Sequence, residues 1–204
     1  MPNWCSTLIN FKGNPDAIKT LHDFISDDKA NKEIGLSNDF GYNWLGNYLH
    51  RAGLNYENYR CRGTVCDIQK IDDEGTSFHI WTETAWAPML AMWQAIIDKI
   101  APGIEIIYSS SECGCSVYWT NDPSFADKYI VDLYDEDVLE DNVVEALSWD
   151  DCNEVPENEL RETLLSILNA DKSMDDLIEE LEDLVDNDGV SIHKWDFVPV
   201  EDVD

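Results

Sequence analysis

Positive charge is what this 204-residue chain has least of: 13 Lys and Arg stand against 43 Asp and Glu, a formal net charge of −30. Such a surface repels nucleic acid and anionic membrane and attracts basic proteins by fast, salt-sensitive association. No apolar run approaches the length of a membrane span, and the first residues hold neither a basic segment nor an apolar signal core. A cytoplasmic location is therefore expected. The six cysteines (Cys5, Cys61, Cys66, Cys113, Cys115 and Cys152) then count as reduced thiols, because a secreted disulfide scaffold is normally shorter. Phosphate loop, EF-hand and HExxH patterns are missing as well, which removes the commonest phosphate and metal sites from consideration.

What is present argues for a folded chain. Apolar residues make up 44% and aromatics 11%, enough for one substantial core or a moderate core plus a smaller module. The charge is uneven: residues 1–121 hold 15 acids and nine bases, whereas residues 122–204 hold 28 acids and four bases. Most of the negative charge belongs to the C-terminal part.

"NWCSTLINFKG" alternates, with Cys5, Thr7, Ile9 and Phe11 on one face, and predicts a strand stopped by Gly13. Cys5 is thereby placed as a small buried apolar residue. "NPDAIKTLHDFIS" predicts a helix to about Ser26, with Asn14 as N-cap, Pro15 in the first turn and Ile18, Leu21, Phe24 and Ile25 inward. The polar "DDKANKE" leads to "FGYNWLGNYLHRAG", a short helix with Tyr42, Leu45, Tyr48 and Leu49 on its face and Gly53 at its end. "CRGTVCDIQKIDDEGTSFHIWTET" reads as a hairpin that turns at Gly75. "APMLAMWQAIIDKIA" is a second amphipathic helix, and "IEIIYSS", "CSVYWT" and "KYIVDLY" are further strands. The order strand, helix, strand, strand, helix, strand predicts an α+β domain over 1–134. It is the ferredoxin-like split βαβ antiparallel sheet with its helices on one face, and residues 27–60 form a helical insertion.

Residues 135–204 read as an acidic, mostly helical region ending in a short strand. "VPENELRETLLSILNA" carries Leu160, Leu164, Ile167 and Leu168 on one stripe. "SMDDLIEELEDLVDNDG" starts with a capping-box-like Ser173 and Asp176, and its stripe is Met174, Leu177, Ile178, Leu181, Leu184 and Val185. "VSIHKWDFVPV" alternates as a strand at a sheet edge.

"MPNWC" at the start, "RGTVCDI", and "TETAWAP" opening a helix together resemble the YubB-type ferredoxin-like domain of phage and plasmid proteins, over about residues 2–121. In "RGTVC" the second tryptophan usual in that motif is replaced by Cys66. The resemblance implies the fold and a setting in phages, plasmids or their integrated remnants. It brings no enzyme activity and does not reach the acidic C-terminal region.

The tryptophans Trp4, Trp81, Trp86 and Trp93 could stack bases on such a sheet, yet only Arg60, Arg62 and Lys70 lie near the hairpin, so core packing is the expected role. "CGC" at 113–115 with Cys61, Cys66 and His79 does not match zinc-ligand spacing. A nucleophilic cysteine beside His79 or His50 would need a lowered thiol pKa that negative surroundings oppose. The acids cluster on helix faces without the partners of a metal-hydrolytic site. The expectation is a non-enzymatic protein with no cofactor and no metal.

The acidic helices carry the leading expectation. Like charges at i,i+3 and i,i+4 oppose a helix by a few tenths of a kcal/mol per pair, so an excess of 24 acids over bases in 83 residues should bring some gain. It equals the phosphates of roughly 12 base pairs of duplex DNA. Acids one turn apart recur at about 5 to 6 Å, near the separation of successive phosphates on one strand. The chain is thus expected to act in the host cytoplasm as a DNA mimic. Its partner would be a basic nucleic-acid-binding defence protein, a CRISPR effector or a restriction nuclease (an anti-CRISPR or anti-restriction role). The partner-binding residues would be Asp175, Asp176, Glu179, Glu180, Asp183 and Asp186, with Asp135, Glu136, Asp137, Glu140, Asp141, Asp150 and Asp151 as a second cluster. The alternative is a structural or adaptor module that binds a protein through exposed Trp149 or Trp195, its acids serving only solubility.

Overall fold

A computed structural model describes residues 3–36, 38–112, 114, 116–133, 146–147, 154–184 and 189–203. The chain divides into two compact units, Met1–Asp122 with Asp196–Asp204, and Pro123–Trp195. The sequence pattern placed the division at 134/135. The strand at Lys128–Leu133 belongs instead to the second unit, because its partners lie at 154–156 and 190–194.

The first unit is built on a six-stranded mixed sheet. Its strands are β1 (Trp4–Lys12), β2 (Gly63–Ile68), β3 (Ser77–Ala85), β4 (Glu105–Glu112), β5 (Val117–Thr120) and, from the returning tail, β9 (Asp196–Phe197). The order is β2-β3-β1-β4-β5-β9, antiparallel except for the β5–β9 pair. In β1 the predicted face of Cys5, Thr7, Ile9 and Phe11 is buried, and its register against β3 places Phe11 opposite Phe78 and Ile9 opposite Ile80. The helices α1 (Pro15–Ile25), α3 (Leu45–Arg51) and α4 (Leu90–Ile100) supply Ile18, Leu21, Ile25, Leu45, Tyr48, Leu49, Trp93, Ile96 and Ile97 to the same core. That arrangement follows from the apolar stripes, since each helix must bury its own stripe against the one apolar face of the sheet.

Local signals explain the boundaries. Asn14 Oδ1 accepts from Ala17 N–H at 3.0 Å and Pro15 occupies the first turn of α1. Gly75 turns the β2–β3 hairpin with a positive φ of 75°. Two details differ from the sequence pattern. Tyr42 lies in a 3₁₀ turn ahead of α3 and is exposed, because the helix begins only at Leu45. The polar stretch at 28–33 is itself a helix, α2 (Asp28–Glu33), capped by Asp27 and carrying two i,i+4 ion pairs in place of an apolar stripe.

The second unit has a three-stranded sheet of order β7-β6-β8, from β6 (Lys128–Leu133), β7 (Glu154–Pro156) and β8 (Val190–Lys194). Its helices are α5 (Glu157–Leu168) and α6 (Met174–Leu184). Tyr129, Val131, Val155, Leu160, Leu164, Leu177, Leu181, Val190 and Ile192 form its own core. The expected stripe of α6 is narrower than the pattern suggested: Leu184 is 67% exposed, and Val185 lies outside the described residues. "VSIHKWDFVPV" forms two edge strands in place of one, β8 in this sheet and β9 in the first. No described helix is long and apolar enough to cross a membrane.

Candidate functional site

In the second unit the 3.6-residue period of α6 turns Leu177 and Leu181 inward and leaves Asp175, Asp176, Glu179 and Asp183 exposed, with Glu180 half-buried. The Ser173 hydroxyl caps the helix by accepting from Asp176 N–H at 3.3 Å. These five carboxylates stand on one helix as the pattern predicted. Asp186 and the whole second cluster (Asp135, Glu136, Asp137, Glu140, Asp141, Asp150 and Asp151) lie outside the described residues.

The four basic residues of 122–204 are all engaged. Lys128 pairs with Glu154 at 3.2 Å, Arg161 with Asp171 at 3.5 Å, Lys172 with Glu180 at 2.8 Å and Lys194 with Glu157 at 3.3 Å. Glu180 holds the Lys172 ammonium above its ordinary pKa through a hydrogen bond and its charge, and Asp176 and Glu179 add to the effect. Glu182 has an internal task, since its carboxylate accepts from Ile192 N–H on β8 at 3.2 Å. Asp175, Asp176, Glu179 and Asp183 therefore face outward without a dedicated cation of their own. Trp195, which the adaptor alternative needed at the surface, is buried against Phe125 with ring centroids 4.8 Å apart; Trp149 lies outside the described residues.

The first unit holds a feature that the pattern did not locate. Trp93 is in the core as expected, but Trp4 and Trp86 are each 43% exposed and Trp81 is exposed as well, so core packing fails for three of the four tryptophans. The reason is register: Trp4 and Trp81 point to the face of β1 and β3 opposite the core, and Trp86 sits just past the end of β3. Trp4 and Trp86 line a cleft of about 860 Å³ with Phe40, Trp44, Tyr56 and Tyr59. Arg60, Arg62, Asp39 and Glu57 also line it, with Met89 among its buried residues.

Its walls are held by backbone pairing between the three segments that contributed the sequence motifs. Asn3 C=O accepts from Trp86 N–H at 2.9 Å, and Arg62 C=O accepts from Ala85 N–H at 3.0 Å. Trp86 has a φ of 69°, a left-handed conformation rare for a bulky side chain, and the Thr84 hydroxyl bridges this turn by donating to Ala87 C=O at 2.8 Å. Two glycines make the close approaches possible. A Cβ on Gly46 would fall 2.4 Å from the Trp44 ring, and one on Gly63 would fall 2.4 Å from Glu83 O. Trp44 meets Tyr56 edge-on at 5.2 Å, Trp4 meets Phe40 edge-on at 6.0 Å, and the Arg62 guanidinium lies over the Trp86 ring at 5.2 Å.

The thiols of the three described cysteines, Cys5, Cys61 and Cys66, are all pushed above their ordinary pKa. Cys5 is fully buried beside Ser110 Oγ at 3.0 Å, and burial, with Glu112 adding to it, pushes its thiol pKa up against the opposing hydrogen bonds of Ser110 and Thr7. Burial likewise raises Cys61 and Cys66. Cys113 and Cys115 lie outside the described residues, and no group of three or more His, Cys, Asp or Glu among the described ones is placed to hold a metal. No family model, no curated protein and no solved structure matches this chain.

Proposed function

We propose that this chain is a non-enzymatic protein of a phage or other mobile element. It binds a basic nucleic-acid-binding host defence protein, a CRISPR effector or restriction nuclease, with the acidic face of α6 standing in for DNA. The observation that carries this reading is the outward display of Asp175, Asp176, Glu179 and Asp183 on a helix anchored by Leu177 and Leu181, in a unit whose four lysines and arginines each have their ion pair with another carboxylate. The mobile-element setting rests on the YubB-type resemblance. The strand order β2-β3-β1-β4 with helices between β1 and β2 and between β3 and β4 is the one a ferredoxin-like split βαβ sheet would have, which supports that part of the reading.

A basic DNA channel attracts such a face through many weak Coulomb terms, so affinity falls steeply with salt. The test is competition with duplex DNA for purified effectors and restriction nucleases, using the parent chain and a variant with Asp175, Asp176, Glu179 and Asp183 all changed to Lys. The parent should displace DNA, and the variant should bind at least about 100-fold more weakly, roughly 2.7 kcal/mol. Equal displacement by a variant of unchanged circular dichroism and melting temperature contradicts the proposal. The variant leaves the Lys172–Glu180 pair and the buried Leu177 and Leu181 of α6 in place.

A further inference from the structure

We infer that the aromatic cleft of the first unit is a binding site for a single nucleotide. The base would be taken between the aromatic walls, and Arg60 and Arg62 would hold the phosphate. Its volume of about 860 Å³ lies within the range of small-molecule pockets. Six aromatic rings around one opening suit a planar, π-bonded ligand better than an aliphatic one, because stacking on indole and phenol faces adds to the burial of area. Trp4 and Trp86 are each left 43% exposed there, apolar surface that a stacked base would cover.

Charge narrows the class. In a chain with 43 carboxylate side chains, neither Arg60 nor Arg62 has a carboxylate within ion-pairing distance among the described residues; Arg62 lies against a ring and Arg60 is exposed. An arginine fork matches phosphate oxygens in a bidentate way, and these two wait at the rim of the rings. A cationic ligand is disfavoured by the same facts. Arg62 already covers one face of Trp86, and a second guanidinium, Arg60, lines the same cleft. Asp39 and Glu57 supply acceptors for the amino and hydroxyl hydrogens of a base and a sugar, groups that neither inorganic phosphate nor an apolar ligand offers. A longer strand brings further phosphates toward a molecule of formal charge −30, so one nucleotide is favoured over a polynucleotide.

The left-handed backbone at Trp86 is fixed by Asn3 and by the Thr84 bridge, contacts within the protein that hold this residue at the opening. That is preorganisation, which lowers the ordering cost of binding. This inference is independent of the acidic face, and its test uses none of those residues.

Isothermal titration of the full chain with AMP, GMP, CMP and UMP should give saturable one-to-one binding of at least one of them. The matching nucleoside should bind at least tenfold more weakly. Joint Arg60→Ala and Arg62→Ala substitution, at two exposed positions that leave the core untouched, should weaken the nucleotide at least tenfold and the nucleoside hardly at all. Four results would each overturn the inference: no heat with any of the four nucleotides, nucleoside binding as tight as nucleotide, choline binding more tightly than the nucleotides, or a ten-residue single strand binding more tightly than its monomer.

Discussion

In residues 123–195 every lysine and arginine faces a carboxylate, whereas among the described residues of the first unit Arg60 and Arg62, like Lys12, Lys70 and Lys99, stand without one in a chain that has acids in excess. The contrast is informative because random placement at this composition would leave carboxylates unpaired and cations paired everywhere. The acids of α6 meet that expectation in sign and exceed it in density along one helix face. The two arginines run against it, and they do so beside exposed indoles. One unit thus presents unmatched negative charge over an open surface, and the other presents two arginines without ion pairs at an aromatic cleft that Asp39 and Glu57 also line.

Perturbing one surface should leave the reading of the other unchanged, and the largest effect should come from α6. Changing its four exposed acids to Lys should lower partner affinity at least about 100-fold, while changing Arg60 and Arg62 to Ala leaves it within twofold. Next is the support of α6. Leu181→Ala empties a fully buried position and should cost about 2 to 5 kcal/mol in the second unit, read as faster amide hydrogen exchange across α5, α6, β6 and β8. Gly63→Ala forces a methyl group onto the β3 backbone and should cost about 1 to 3 kcal/mol by thermal unfolding. It should also weaken nucleotide binding, since Arg62 moves with that strand.

The smallest effect is expected at Asp72, in the β2–β3 turn. Some loss of hydration pushes its carboxyl pKa up, but hydrogen bonds from Ser77 Oγ at 2.9 Å and Thr76 N–H at 2.7 Å outweigh it and hold the group below its ordinary value. A carboxyl depressed in the folded state adds stability above its unfolded pKa and loses it as pH falls through the folded value. Asp72→Ala should therefore lower the melting temperature near pH 7, and the difference from the parent should vanish once both are well below the carboxylate range.

Where local chemistry decides an element, the sequence is enough to find it. Alternation in β1, the Asn14–Pro15 start of α1, the Gly75 turn and the stripes of α4 and α6 all follow from period and capping, which act within a few residues. Short elements made by tertiary pairing do not: β7 has three residues with no pattern of its own, and α2 has no apolar stripe. The acidic face was legible because one helix carries it. The cleft was not, because Trp4, Phe40, Trp44, Tyr56, Arg60 and Trp86 come from segments that only the sheet register joins. One signal did point to it: "YENYRCRG" sets two arginines directly after two tyrosines in a chain that otherwise has few bases.

The most direct test of the acidic-face proposal is whether the chain binds a purified CRISPR effector or restriction nuclease in competition with DNA, and how that binding depends on salt. If α6 replaces phosphates, the logarithm of affinity should fall linearly with the logarithm of salt concentration, and the slope should become shallower with each of Asp175, Asp176, Glu179 and Asp183 changed to Asn or Gln. Affinity that holds constant from about 50 to 500 mM salt, with a slope indifferent to those changes, would contradict it.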